Sequence, residues 1–226
     1  MSNYIAMSND MAVTTMRDGE GQPGVGPDTL VLGIETSCDE TAAAVVEDRG
    51  AGGVILSNVV LSQLDDHRPF GGVVPEVAGR SHLEAIGGVI DRALEEAGAT
   101  LDDLAAVAVT ARPGLIGSLL VGVSAAKALA WTHRLPLVDV HHIEAHVHAA
   151  TMESPEEVRF PCVALVVSGG HTALYDVQSP LEMDLIVSTL DDAAGEAFDK
   201  VAWILGLSYP GGPSISALAA EGDPAA

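Results

Sequence analysis

Four histidines fall within eight residues, His141-His142-Ile143-Glu144-Ala145-His146-Val147-His148. His142 and His146 are four apart, so on a helix they share a face and can ligate one metal ion. Glu144 would project almost opposite. The run is not HExxH, in which a Glu directly after the first His serves as a protease base. Lone histidines are usually structural, and two ligands are too few for a closed site, so a third donor is expected from elsewhere. A second group of reactive types is Gly33-Ile34-Glu35-Thr36-Ser37-Cys38-Asp39-Glu40-Thr41. An apolar run ends there in a polar turn, and Glu35 at its end can hold a cation or position a nucleophile. Backbone N–H groups of such a turn, with the hydroxyls of Thr36, Ser37 and Thr41 directed toward one point, suit phosphate oxygens. The plain alternative is a hairpin with ordinary polar turn residues.

Val166-Val167-Ser168-Gly169-Gly170-His171-Thr172 repeats the pattern of an apolar run ending in a small-residue turn. Its glycines let a ligand approach the backbone closely. Asp191 to Lys200 (DDAAGEAFDK) sets Glu196, Asp199 and Lys200 at three- and four-residue spacing on one helical face. That face is either solvated, with a Glu–Lys pair contributing a few tenths of a kcal/mol, or carries a carboxylate for a ribose. Tyr209-Pro210-Gly211-Gly212-Pro213 forms a glycine turn at a helix start, where N–H groups can face a ligand.

The elements that must position these groups follow from periodicity. Short apolar runs predict strands at Leu30–Glu35, Thr41–Val46 and Val54–Leu61. Apolar residues at Leu83, Ile86, Ile90, Leu94 and Ala97 predict a helix over Glu76–Ala97. Gly87 and Gly88 inside it each cost about 1 kcal/mol against Ala, and close packing is expected to compensate. A strand over Leu104–Thr110, a helix over Gly117–His133, a strand over Pro136–Val140 and a helix over His142–Ala150 follow. The helix over Gly117–His133 is apolar on nearly every side, and so is expected to be buried. A second series then begins: strands at Cys162–Val167, His171–Val177 and Leu185–Thr189, a helix over Gly195–Leu205, and Pro213 in the first turn of one more. Two βββα openings, each with a phosphate-sized hairpin turn, resemble in element order the duplicated actin-like α/β fold of sugar kinases and chaperone ATPases, which implies a βββαβα unit whose second lobe is incomplete. The domain expectation is a flexible leader over residues 1–28, a first lobe with the metal-binding helix over 29–152, and the start of a second lobe over 153–226.

The chain has 226 residues, 48% hydrophobic and only 4% aromatic, long enough for a sizeable core of aliphatic side chains. Ten Lys and Arg against 32 Asp and Glu give a net charge of −22. That excludes a generic nucleic-acid or anionic-membrane binder, which needs cationic surface. A nucleic-acid substrate held by a local patch or by a partner's basic surface is compatible with it. Cys38 and Cys162 lie far apart without CxxC spacing, which points to reduced thiols and a cytoplasmic location rather than a disulfide scaffold. No apolar stretch reaches the ~18 residues of a membrane span, and the leader lacks the apolar core of a signal peptide.

Together the stretches GIETSCDETAAAVV, GGVVPEVAGRSH, PGLIGSLLVGVSAAKALA, HHIEAHVHAA, VALVVSGGHTALY and DDAAGEAFDKVAWILGLSYPGGP resemble the tRNA threonylcarbamoyladenosine synthase family (the TsaD family, formerly labelled glycoproteases or O-sialoglycoprotein endopeptidases). They run from Gly33 to Pro213, essentially the whole expected fold. The resemblance implies an acyltransferase that moves a threonylcarbamoyl group from threonylcarbamoyl-AMP to N6 of the adenosine 3′ of the anticodon, in tRNAs reading codons that begin with adenine. It implies one divalent metal ion, Fe2+ ahead of Zn2+, held by His142 and His146. It implies an adenylate pocket lined by Val166, Val167, Ser168, Gly169 and Gly170, with Asp199 and Gly212 at the nucleoside. Glu35 and Ser37 are implied as catalytic, near the phosphate or the transferred group. Implied partners are tRNA, the noncatalytic paralogue TsaB and the ATPase TsaE. The family's later asparagine-containing glycine loop and its third, aspartate metal ligand have no counterpart, and Arg112 precedes Pro113-Gly114 where the family pattern has glycine. A chain cut short, inactive by itself and prone to associate, is the resulting expectation. Rival readings are the noncatalytic scaffold paralogue, disfavoured by the two histidines, a metallopeptidase, disfavoured by the absent HExxH, and a small-molecule kinase of the same fold.

Overall fold

The computed structural model describes residues 28–49, 53–153 and 158–223; the leader expected over 1–28 lies, except for Asp28, outside them. Strands β1 (Thr29–Glu35), β2 (Glu40–Asp48) and β3 (Gly53–Ser62) are followed by the short helix α1 (Leu64–His67) and the long helix α2 (Pro75–Ala97). Next come β4 (Leu104–Arg112), α3 (Ile116–His133), β5 (Leu137–His141) and α4 (His142–Glu153). The second series is β6 (Cys162–Val167), β7 (Thr172–Ser179), β8 (Glu182–Ser188), α5 (Ala194–Ile204) and α6 (Gly211–Ala219). The element order is the one expected of an actin-like α/β fold. No helix among the described residues is long and apolar enough to cross a membrane.

The chain forms two compact units. One takes the residues up to Gln63 together with Pro75–Val158, and the other takes Leu64–Val74 with the residues from Arg159 on. The first unit is a five-stranded sheet in the order β3-β2-β1-β4-β5. β1 pairs antiparallel with β2 and parallel with β4, and β4 pairs parallel with β5. The carboxyl ends of β1, β4 and β5 therefore lie side by side on one sheet edge, the position at which open α/β sheets bind ligands. Leu32, Ile34, Val45 and Val107 on one sheet face pack with Ile86 and Ile90 of α2. Val31, Val46, Ala106, Ala108 and Val138 form a second cluster.

Two packing expectations are corrected. α3 is not buried all round: Ser118, Gly122, Ala126 and Ala130 are its buried residues, one every four, while Ile116 and Trp131 are 78% and 77% exposed. Small residues form its inner stripe because the helix must lie close to the sheet and to the turn after β1. Gly87 and Gly88 have nothing within 4 Å of where a Cβ would stand, so they lie on the open side of α2 and close packing offsets nothing there.

In the second unit β6, β7 and β8 form an antiparallel sheet in sequence order. Leu64–Val74 joins this unit although its chain neighbours do not; a side chain at Gly71 would touch the Trp203 ring.

Candidate active site

Each of the three mutually parallel strands of the first sheet, β1, β4 and β5, delivers one group at its carboxyl end. Glu35 closes β1, Thr110 lies near the end of β4, and His142 opens α4 directly after β5. The side chains meet. Thr110 Oγ1–H donates to Glu35 Oε2, and the Ser37 N–H donates to Glu35 Oε1. His142 Nδ1 is 3.2 Å from Glu35 Oε2 and 3.2 Å from Ser37 Oγ. Burial alone would raise the Glu35 pKa, but His142, by hydrogen bond and by charge, and the hydrogen bonds of Ser37 and Thr110 outweigh it and hold the carboxyl below its ordinary value. An ionised carboxylate only accepts hydrogen bonds. The His142 Nδ1 therefore carries a proton whether the ring is charged or neutral, and in the neutral ring the lone pair lies on Nε2, facing away from Glu35.

That Nε2 faces His146, whose Nε2 is 3.1 Å away, with ring centroids 4.4 Å apart and planes at 76°. Two imidazole nitrogens on one metal at 2.0–2.1 Å and a tetrahedral angle stand about 3.3 Å apart. The pair fits a divalent metal ion in spacing and in donor chemistry, and Glu35 behind His142 stands where an outer carboxylate would fix the ring of a ligating histidine. Among the described residues no group of three His, Cys, Asp or Glu is placed to ligate one ion, so the fit extends to these two donors.

The other turn hydroxyls do not converge as expected. Thr36 is fully buried, donates to Ser118 O at 2.8 Å and accepts from the Gly122 N–H at 3.2 Å. Thr41, also fully buried, contacts His82 Nδ1 at 2.8 Å. Both serve the packing of the turn, and Ser37 is the hydroxyl directed at the histidines. The turn is so closely clasped that a Cβ on Gly122 would stand 2.4 Å from Thr36 Oγ1, and one on Gly114 would stand 2.6 Å from Ser37 O. The Leu115 N–H completes that contact with Ser37 O at 2.8 Å. Arg112, at the start of this loop, pairs with Asp139. Cys38 is exposed as a residue, yet desolvation of its thiol and the charges of Asp39, Glu35 and Glu40 push its pKa up to about 12. It is no nucleophile at neutral pH.

Sequence reasoning missed Thr110, Ser118 and His82. Thr110 carries no local signal; the parallel register that sets β4 beside β1 brings it to Glu35.

In the second unit the β6–β7 turn and the N-termini of α5 and α6 form a separate group. The turn is closed by the Ser168 N–H donating to His171 O at 2.8 Å and the His171 N–H donating to Ser168 Oγ at 3.0 Å. α5 starts against it: the Gly195 N–H donates to Ser168 O at 3.1 Å, and the Ala194 N–H donates to Thr172 Oγ1 at 2.8 Å. A Cβ at Gly195 would lie 2.7 Å from Gly169 Cα, so α5 reaches the turn only because residue 195 is glycine. Asp199, one turn further along α5, accepts the Gly211 N–H at 2.7 Å and so caps α6. Gly169, Gly170 and Gly212 border open space. Val166 is buried while Val167 is half exposed. Lys200 pairs with Asp192 at 2.6 Å and Glu196 at 3.1 Å, as a solvated helix face does. The structure thus gathers Glu35, Ser37, His142 and His146 in one unit, and Ser168 to Gly170, Asp199 and Gly212 around α5 in the other.

Residues 54–226 match the family described as TsaD, tRNA N6-adenosine threonylcarbamoyltransferase. The chain belongs to this family. It is 58% identical over 204 residues to the tRNA N6-adenosine threonylcarbamoyltransferase of Geobacillus thermodenitrificans, covering 90% of this chain and 58% of that protein. It is 57% identical over 194 residues to the protein of the same name in Halalkalibacterium halodurans, covering 86% of this chain and 55% of that one. The chain therefore spans somewhat over half the length of the curated relatives it matches. Among solved structures, YeaZ from Pseudomonas aeruginosa is similar with a TM-score of 0.47 at 18% identity, over 74% of this chain and 72% of that one.

Proposed function

We propose that the protein is a tRNA N6-adenosine threonylcarbamoyltransferase acting in the cytoplasm. It would take threonylcarbamoyl-AMP and the adenosine 3′ of the anticodon as substrates, with companion subunits of the TsaB and TsaE kind supplying cationic surface for tRNA. The observation that carries this reading is the gathering of Glu35, Ser37, His142 and His146 at one sheet edge in a chain of this family.

The adenine N6 attacks the carbamoyl carbonyl carbon; the new C–N bond forms as the bond to the AMP phosphate oxygen breaks. AMP leaves with the electron pair, and the proton lost from N6 passes to water. A divalent metal ion, Fe2+ by preference and Zn2+ as second choice, would supply Lewis-acid polarisation of the carbonyl when bound. His142 and His146, whose Nε2 atoms face each other, would hold it. Glu35 fixes the His142 ring by accepting its Nδ1–H, and Ser37 flanks the same nitrogen. The turn Ser168-Gly169-Gly170 leaves its backbone open for the adenylate between Val166, Val167 and the start of α5, while Asp199 and Gly212 frame the nucleoside at α6. Good leaving-group chemistry lets positioning contribute much of the rate.

The test is incubation of the protein with threonylcarbamoyl-AMP, the metal ion, companion subunits and unmodified tRNA, followed by mass spectrometry of the nucleosides. N6-threonylcarbamoyladenosine at the anticodon-adjacent position is expected. Hydrolysis of the adenylate with no modified adenosine contradicts the proposal.

A further inference from the structure

His82 has no solvent exposure, lies on α2 away from the histidine pair, and holds the turn after β1 by its backbone. Its Nε2 is 3.0 Å from Cys38 O, and its Nδ1 is 2.8 Å from Thr41 Oγ1 and 3.1 Å from Gln63 Nε2. A carbonyl oxygen only accepts, so Nε2 carries the proton. An amide nitrogen only donates, so Nδ1 carries the lone pair. The amide of Gln63 is oriented independently, because its Nε2 also faces Ala78 O at 3.5 Å. The two sides of the ring thus require the same neutral tautomer. Ser118 Oγ–H is a second, longer donor to Cys38 O at 3.5 Å, and the Gln63 N–H donates to Asp39 O at 3.0 Å.

Cys38 directly follows Ser37, whose carbonyl is held from the other side by Leu115. The turn is clamped between α3 and His82. We propose that His82 is a positioning residue of the active site: as the Nε2–H tautomer it fixes the Cys38 carbonyl, and through it the placement of Ser37 and Glu35 against His142. The inference rests on the functional reading above. It adds a residue that touches neither substrate nor metal.

Two variants separate positioning from folding. His82→Phe keeps the bulk of the ring and removes both nitrogens. His82→Gln returns an N–H at the distance of Nε2 and an oxygen that can accept from Thr41. Zn2+ affinity is measured by chelator competition well below each variant's thermal transition, and the imidazole tautomers by 15N NMR of the full chain. The expected result is a loss of at least tenfold in Zn2+ affinity for His82→Phe, recovery to within about threefold for His82→Gln, and a His82 signal of the Nε2–H form in the wild type. Wild-type affinity in folded His82→Phe, or an Nδ1–H signal for His82, overturns the proposal. If the wild type itself binds no Zn2+, the metal reading fails separately. The His142 ring signals then decide: a change of tautomer or line shape in His82→Phe supports positioning, and unchanged signals overturn it.

Discussion

Replacing Glu35 by Gln preserves the shape of the side chain but removes the charge that holds the proton of His142 on Nδ1. With the Nε2 lone pair no longer guaranteed, the account predicts a fall of about 10- to 100-fold in metal affinity, the range typical when an outer partner of a ligating histidine is lost. Chelator competition checks this, and unchanged affinity would remove Glu35 from the metal's surroundings. Asp199 calls for two variants, because its carboxylate caps α6 whether or not it meets a nucleoside. Asp199→Ala should lose the cap, costing about 1 kcal/mol of stability. Asp199→Asn should keep the cap yet weaken adenylate binding by roughly 1–3 kcal/mol, as a hydrogen bond to a charged group is lost. Calorimetry showing wild-type adenylate affinity for Asp199→Asn confines the residue to capping. At this scale the sequence exposed the His142–His146 pair through spacing alone. It could not expose Thr110 or His82, whose partners lie 75 and 41 residues away. It also misdirected Thr36 and Thr41, since a polar turn residue reads the same whether its hydroxyl faces a ligand or a neighbouring helix.

The elements were far more legible than their faces. Short apolar runs located the strands, because β1, β2 and β4 are buried on both faces, and three-to-four-residue apolar spacing located α2, because burial of one helix face imposes that period. The orientation of α3 was hidden for the same reason: with few polar residues, its sequence carries no contrast between inner and outer sides. What selects the inner side is size, since Gly122 admits Thr36 at a distance no larger residue allows. Gly87 and Gly88 lead to a prediction of opposite sign from the packing expectation. With open space around both, Gly87→Ala and Gly88→Ala should each stabilise the protein by up to about 1 kcal/mol. Thermal denaturation of the two variants checks this, and a lowered Tm for both would mean that the exposed side of α2 is in contact with something.

Across the whole molecule, charge and exposed apolar surface oppose each other. The net charge of −22 favours a dispersed chain. The sheet of the second unit nonetheless presents Val163, Leu165, Leu185 and Val187, each more than half exposed, on its two outer strands. Apolar edge strands of this kind recruit further chains. The account predicts self-association of the 226-residue chain, increased by salt as the charge is screened and reduced by Leu165→Lys with Val187→Lys. Sedimentation of a monomer at all salt concentrations would contradict it. The grouping of Leu64–Val74 with the second unit was not readable from the sequence, since that segment's partners come from distant chain and its own composition shows only a turn.

This chain's histidine pair is proposed to serve threonylcarbamoyl transfer to tRNA. The most direct measurement exchanges the matched segment of the Geobacillus thermodenitrificans relative, 58% identical over 204 residues, for this chain's own. The hybrid is expressed in cells depleted of their own transferase, and tRNA nucleosides are quantified by mass spectrometry. The account predicts that the hybrid restores N6-threonylcarbamoyladenosine and that the same hybrid with His142→Ala and His146→Ala does not. Equal restoration by both, or none by a folded hybrid with its histidines intact, would contradict it.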